Sequence, residues 1–126
     1  MATAACRRTC LISRGDVVSQ FFPTPDECAR HTIFPGVHIR TCATDRMMVS
    51  VVDLEPHSVV EEHAHPHDQV GMLLEGKAIF IVGDEQKTLQ AGDIWCIPGG
   101  VRHKVITLDQ PTRALDIFTP VREEYL

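Results

Sequence analysis

From residue 37 to residue 120 the chain alternates short runs rich in Val, Ile, Phe and Met with turn residues at intervals of about eight to twelve positions, the pattern of an all-β sandwich or barrel. Nine strands are predicted, over residues 37–42, 47–54, 58–63, 69–74, 77–82, 85–89, 94–97, 103–108 and 113–119. The intervening turns carry residues suited to tight reversal: Glu75-Gly76, Gly83-Asp84, Ala91-Gly92-Asp93, Pro98-Gly99-Gly100 and Asp109-Gln110-Pro111. No segment of this region sustains a helical apolar period. Residues 25–31 are predicted as a short helix, with Thr24 as its cap and Pro25 at its first position, where a missing N–H costs nothing. Residues 17–22 are expected to add a strand, which divides the chain into an N-terminal extension, 1–35, and a barrel with a C-terminal tail, 36–126.

Composition narrows the class. A chain of 126 residues with 44% apolar and 23% charged residues affords one globular core and no second. A net charge of -5 and a pI near 5.7 exclude a general nucleic-acid surface, which needs clustered Lys and Arg to replace phosphate counterions. No apolar run approaches the roughly 20 residues that span a bilayer. Arg7 and Arg8 are followed by a stretch that Ser13, Arg14, Gly15 and Asp16 interrupt, so the apolar centre of a signal peptide is missing and a cytoplasmic protein is expected. Five cysteines (Cys6, Cys10, Cys28, Cys42 and Cys96) include one closely spaced pair, and they read as reduced thiols with no common role, since structural zinc sites usually draw on paired knuckles. An open barrel leaves sheet edges that must be covered, so a homodimer is expected in which the N-terminal segment packs on the partner.

The candidate chemistry lies in His63-Ala64-His65-Pro66-His67. Side chains two apart on a strand share a face, so two imidazoles can point into one cavity, where they suit several divalent transition metals. On this parity His63, His65, His67 and Gln69 share a face if the segment stays extended, and Pro66 makes an irregularity there expected. Gln69 and His103, the latter after the Pro-Gly-Gly turn, complete a four-ligand set. His67 is placed behind the ligands or facing solvent, and His31, His38 and His57 are given no role in the site.

At these residues the sequence resembles the cupin superfamily. His63, His65, Gln69 and Gly76 fall on its first motif (Gly, then His-x-His, Glu and Gly); Gly92, Pro98, Gly100 and His103 fall on its second (Gly, then Pro-x-Gly-x-x-His). Two positions depart: His57 stands where the leading glycine is found, and Gln69 where the acidic ligand is found. The resemblance implies an all-β double-stranded β-helix, or jelly-roll, barrel holding one divalent ion per chain, with Ni, Mn, Fe and Zn all open. Three imidazoles and an amide leave such an ion its full double charge, which favours anionic ligands.

The end of the chain, Leu115-Asp116-Ile117-Phe118-Thr119-Pro120-Val121-Arg122-Glu123-Glu124-Tyr125-Leu126, resembles that of the small uronate ring-opening cupins of pectin and alginate degradation, which close with Asp-x-Phe-x-Pro-x-Arg-Glu-Asp-Phe-Leu. That resemblance implies conversion of a 4,5-unsaturated monouronate to its linear keto form, with Asp116 moving protons, Phe118 packing the sugar ring and Arg122 holding the carboxylate. Parity independently places Asp116 and Phe118 on one face of the last strand. Plainer roles stand beside these: Asp116 capping a turn or pairing with Arg113, Phe118 filling the core, Arg122 fastening the tail through Glu123 or another surface carboxylate. A metal-dependent dioxygenase and a non-enzymatic binder of small ligands are the competing functions, because function belongs to a site and not to a barrel.

Overall fold

The computed structural model describes residues 21–126. Among them are ten strands: β1 (Ala29–Phe34), β2 (Val37–Ala43), β3 (Met48–Leu54), β4 (Val59–His63), β5 (Asp68–Glu75), β6 (Lys77–Val82), β7 (Glu85–Gln90), β8 (Ile94–Ile97), β9 (His103–Thr107) and β10 (Thr112–Thr119). They form two antiparallel sheets, one of six strands in the order β1-β2-β3-β10-β5-β8 and one of four in the order β4-β9-β6-β7. Every predicted strand is present, with no end shifted by more than one residue. The architecture is the all-β, two-sheet jelly-roll barrel that the motifs implied.

The alternation in sequence becomes an alternation of faces. Val37, Ile39, Val52, Leu54, Leu73, Ala114, Trp95 and Ile97 of the larger sheet meet Val60, Ala78, Phe80 and Leu89 of the smaller one. Phe80 and Trp95 lie with ring centroids 4.5 Å apart in that core. A second cluster of Ala43, Met48, Phe118 and Val121 closes one end and receives Tyr125 and Leu126 from the tail.

The region before residue 37 differs from expectation. The helix predicted over 25–31 is a 3₁₀ turn of three residues, Pro25–Glu27. Its local signals are present: the Thr24 hydroxyl and backbone N–H both donate to Glu27. The chain then leaves the turn because Ala29 to Phe34 can add a row of backbone hydrogen bonds to the edge of β2, with Ala29 opposite Thr41 and Thr32 opposite His38. A long-range ladder thus outweighs a weak helical preference. Of the segment expected as an extra strand, 17–22, residues 17–20 lie outside the described ones, and Phe21 and Phe22 belong to no strand. No helix among the described residues is long and apolar enough to cross a membrane.

The outer face of the six-stranded sheet is unusually apolar. Ile117 lies opposite Val49 on one side and Val70 on the other, and Val70 opposite Cys96; Leu115 is likewise flanked by Val51 and Met72, and Met72 by Ile94. These two rows cross four strands without a charged residue.

His57 occupies the left-handed region, with φ 58°. It is the position at which the cupin motif carries glycine, and the turn before β4 demands that conformation whichever residue is present. A side chain there bears a Cβ clash that glycine avoids. His57→Gly is therefore expected to stabilise the protein, by about 1 kcal/mol in denaturant unfolding; an unchanged or lower midpoint would show that the imidazole compensates the strain.

Candidate metal centre

The chain crosses between the two sheets at residues 64–67, which corrects the simple picture of alternate residues on one extended strand. His63 ends β4 in the smaller sheet and pairs directly with His103 at the start of β9. His65 lies in the crossing itself, and Gln69 comes next in β5 of the larger sheet. The Pro-Gly-Gly turn fastens this crossing from outside. The Gly100 N–H donates to the His65 carbonyl at 2.8 Å, and the Gly99 N–H to Asp68 Oδ1 at 2.8 Å. Gly99 is needed for that approach, since a Cβ would stand 2.2 Å from the Pro66 carbonyl oxygen.

His63, His65 and His103 consequently converge, with ligand nitrogens all within 4.8 Å of one another. His67 is outside this group. Each of the three imidazoles has Nδ1 facing a backbone carbonyl: Glu61 at 2.8 Å for His63, His67 at 3.1 Å for His65, and Val101 at 3.0 Å for His103. Donation through Nδ1–H leaves each Nε2 with its lone pair, the form that binds a metal. Burial, reinforced by the Arg122 charge, holds His65 down at about 4, and burial lowers His103 too, so both stay neutral at physiological pH.

Gln69 supplies an independent test of fit. Its oxygen lies 3.0 Å from His65 Nε2, while its amide nitrogen donates to Asp116 Oδ1 at 2.8 Å. Neutral His65 has one ring proton and faces two oxygens, Gln69 Oε1 and the His67 carbonyl; with the proton on Nδ1 toward His67, the Nε2 lone pair faces the Gln69 oxygen, an arrangement that a cation beside both atoms favours. Turning the amide over would set its oxygen against the Asp116 carboxylate instead. The donor set therefore fits a metal ion held by the three histidines and offers the Gln69 oxygen as a fourth ligand.

Asp116 is buried, and Trp95 Nε1 also donates to its Oδ1, at 2.8 Å. Burial pushes its carboxyl up to about 6, although Gln69, Trp95 and Arg122 all favour the charged form. It does not pair with Arg113, which turns to Asp53 at 2.7 Å on the opposite face. Phe118 is 3% exposed and packs edge-on against His65, with centroids 5.7 Å apart, so it is at once a core residue and a wall of the site. Arg122 is buried too, with its guanidinium 4.1 Å from the centre of the Tyr125 ring; the tail carboxylate it pairs with is the half-exposed Glu124, at 3.0 Å. A cavity of about 60 Å³ is lined by His63, Gln69, His103, Asp116, Phe118 and Arg122 together with largely apolar side chains. Sequence reasoning missed Trp95 and Tyr125. Trp95 carried one usable signal, its odd-numbered match to inward Ile97 on β8; Tyr125 carried none.

Two imidazole-bearing motifs on facing sheets of a jelly-roll barrel define a class, and the comparison with known families agrees: the cupin domain matches residues 50–118, so the chain belongs to the cupin family. Among individual proteins it is similar to the pectin degradation protein KdgF of Dickeya dadantii, 25% identical over 84 residues, which covers 66% of this chain and 76% of that one. The solved structure of KdgF from a Halomonas species is 26% identical with a TM-score of 0.72, covering 77% of this chain and 90% of that one. An RmlC-like cupin from Shewanella frigidimarina superimposes with a TM-score of 0.78 at 25% identity, over 86% of this chain and 97% of that one.

The raised carboxyl makes a signed prediction for the metal-free protein. A folded-state value near 6, above the ordinary 3.8, means that Asp116 contributes stability fully below pH 3.8 and loses it as pH rises through 6. Asp116→Asn does not titrate. Measured with chelator present, the variant should melt above the wild type at pH 7.5, and the difference should shrink steadily between pH 6 and 4. A difference independent of pH would show that folding leaves the Asp116 carboxyl at its ordinary value.

Proposed function

We propose that this protein is a metal-dependent, isomerase-like enzyme that opens the ring of a 4,5-unsaturated uronate or a closely related sugar acid. The observation that carries this reading is a buried carboxylate, Asp116, joined through Gln69 to the histidine cluster and sharing its cavity with Arg122. The likeness to proteins of pectin degradation supports the choice of sugar acid.

A divalent Ni, Mn, Fe or Zn ion on His63, His65, His103 and Gln69 would supply a Lewis acid for a substrate oxygen. The rest is the work of the chain. Ring opening takes a proton from the anomeric hydroxyl, breaks the bond between anomeric carbon and ring oxygen, and returns a proton to the vinyl carbon, so atoms balance. Asp116, with its carboxyl near 6, accepts and releases protons at neutral pH. Gln69 and Trp95 both donate to Oδ1, which leaves Oδ2 as the proton-carrying oxygen. Arg122 attracts the substrate carboxylate and presents a planar fork to it. Glu124, about half exposed, yields its place on the guanidinium and turns to water. Phe118 gives the sugar an apolar wall and keeps water out.

The test is metal analysis of protein purified without added metal, followed by turnover of a 4,5-unsaturated uronate with and without chelator. His63→Ala and His103→Ala should each lose the metal, and Asp116→Asn should keep it while losing at least ~100-fold in turnover. Normal metal content in both histidine variants would sink the site. Oxygen uptake coupled to turnover would replace the isomerase with a dioxygenase, and uronate binding without turnover would leave a ligand-binding cupin.

We also propose a homodimer, formed through the apolar outer face of the six-stranded sheet. Sheet faces pack best on other sheet faces, about 10 Å away, and a two-fold axis makes one uncharged patch complementary to itself. Ile94, 61% exposed, lies in it, and Pro23, which adjoins Val49 and Ile117, places the start of the described chain at its rim. Light scattering should report a dimer for the wild type and a folded monomer for the full-length Met72→Glu, Ile94→Glu variant. A monomeric wild type would overturn the dimer.

A further inference from the structure

The thiols of Cys28 and Cys42 lie 3.2 Å apart at the far edge of the larger sheet, outside the metal site and its cavity. Cys28 leaves the 3₁₀ turn immediately before β1, and Cys42 is near the end of β2. Ala29 opposes Thr41 in the antiparallel ladder, so the next step outward brings Cys28 opposite Cys42. Residues directly opposed in such a ladder have Cα atoms about 4.5 to 5.5 Å apart, within the range a disulfide spans. The sulfurs need to approach by only about 1 Å, a matter of side-chain rotation. Cys28 is half-buried and Cys42 is buried, so an external reagent meets Cys28 first.

We propose that Cys28 and Cys42 are an oxidative modification site, which a low-molecular-weight disulfide such as oxidised glutathione converts to an intramolecular disulfide. The Cys28 thiolate attacks one sulfur of the reagent, forming a mixed disulfide and expelling one glutathione thiolate. The Cys42 thiolate then attacks the Cys28 sulfur and expels the second. The two protein thiols lose two electrons and two protons, and the reagent leaves as two molecules of reduced glutathione. The bond ties β1 to β2. Strand β1 carries Ile33, in the cavity wall, and Phe34, whose ring lies 6.4 Å from that of His63, so the modification fixes one wall of the site in place.

The experiment uses the full chain with Cys6→Ser, Cys10→Ser and Cys96→Ser, incubated folded with oxidised glutathione and digested without reductant. The expected result is a protein lighter by two hydrogens, a Cys28–Cys42 linked peptide, and a Tm raised by about 10 °C that dithiothreitol reverses. Adding Cys28→Ser should abolish all three changes. The wild-type chain should give the same linked peptide. A persistent glutathione adduct on Cys28, an unreactive pair in the folded protein, or linkage of either cysteine to Cys6 or Cys10 in the wild type would overturn the proposal.

Discussion

A carboxylate removed from water must be held by donors, and Asp116 is held by two that come from two further strands of its own sheet. Gln69 reaches it from β5, the direct neighbour of β10, and Trp95 from β8, one strand beyond. The arrangement works because all three residues face inward in register, and because Gly71 leaves the space into which the indole leans. A Cβ on Gly71 would stand 2.4 Å from the Trp95 ring. Once the Gln69 amide nitrogen is engaged by Asp116, its oxygen can only face His65. One buried hydrogen bond thus sets the polarity of the whole site, from the carboxylate through the amide to the imidazoles.

This sharpens what an amide means where related motifs carry a carboxylate. The four donor groups are neutral, yet negative charge is not absent; it sits one hydrogen bond farther back, on Asp116. A carboxylate bound directly to a metal would be committed to it. Set behind an amide and buried, the same charge stays near its proton-exchange range while still polarising the group in front. Arg122 completes the balance from the other side of the cavity, stacked on Tyr125 and restrained by Glu124.

Local pattern carried most of the fold. Period-two alternation places side chains on faces without reference to the rest of the chain, which is why nine strands and the shared face of Asp116 and Phe118 on β10 were legible. The failure at 25–31 has the same origin. Thr24 and Pro25 are true start signals, and they start a turn; the path of the chain beyond that turn is decided by a partner strand that no local signal announces.

For the site, sequence alone determined which side chains were eligible: His63, His65, Gln69 and His103 by motif spacing, and Asp116 and Phe118 by the resemblance of the tail, with parity setting those two on one face. Tertiary structure decided how they are used. It set the crossing between sheets that puts His65 among the other two, the direct pairing of His63 with His103, the Gly99 approach to Pro66, and the choice of Asp53 over Asp116 as partner for Arg113. It also added Trp95 and Tyr125. Residue type and spacing can say what a side chain is able to bind; which groups it meets depends on contacts between residues far apart in the chain, and only packing specifies those.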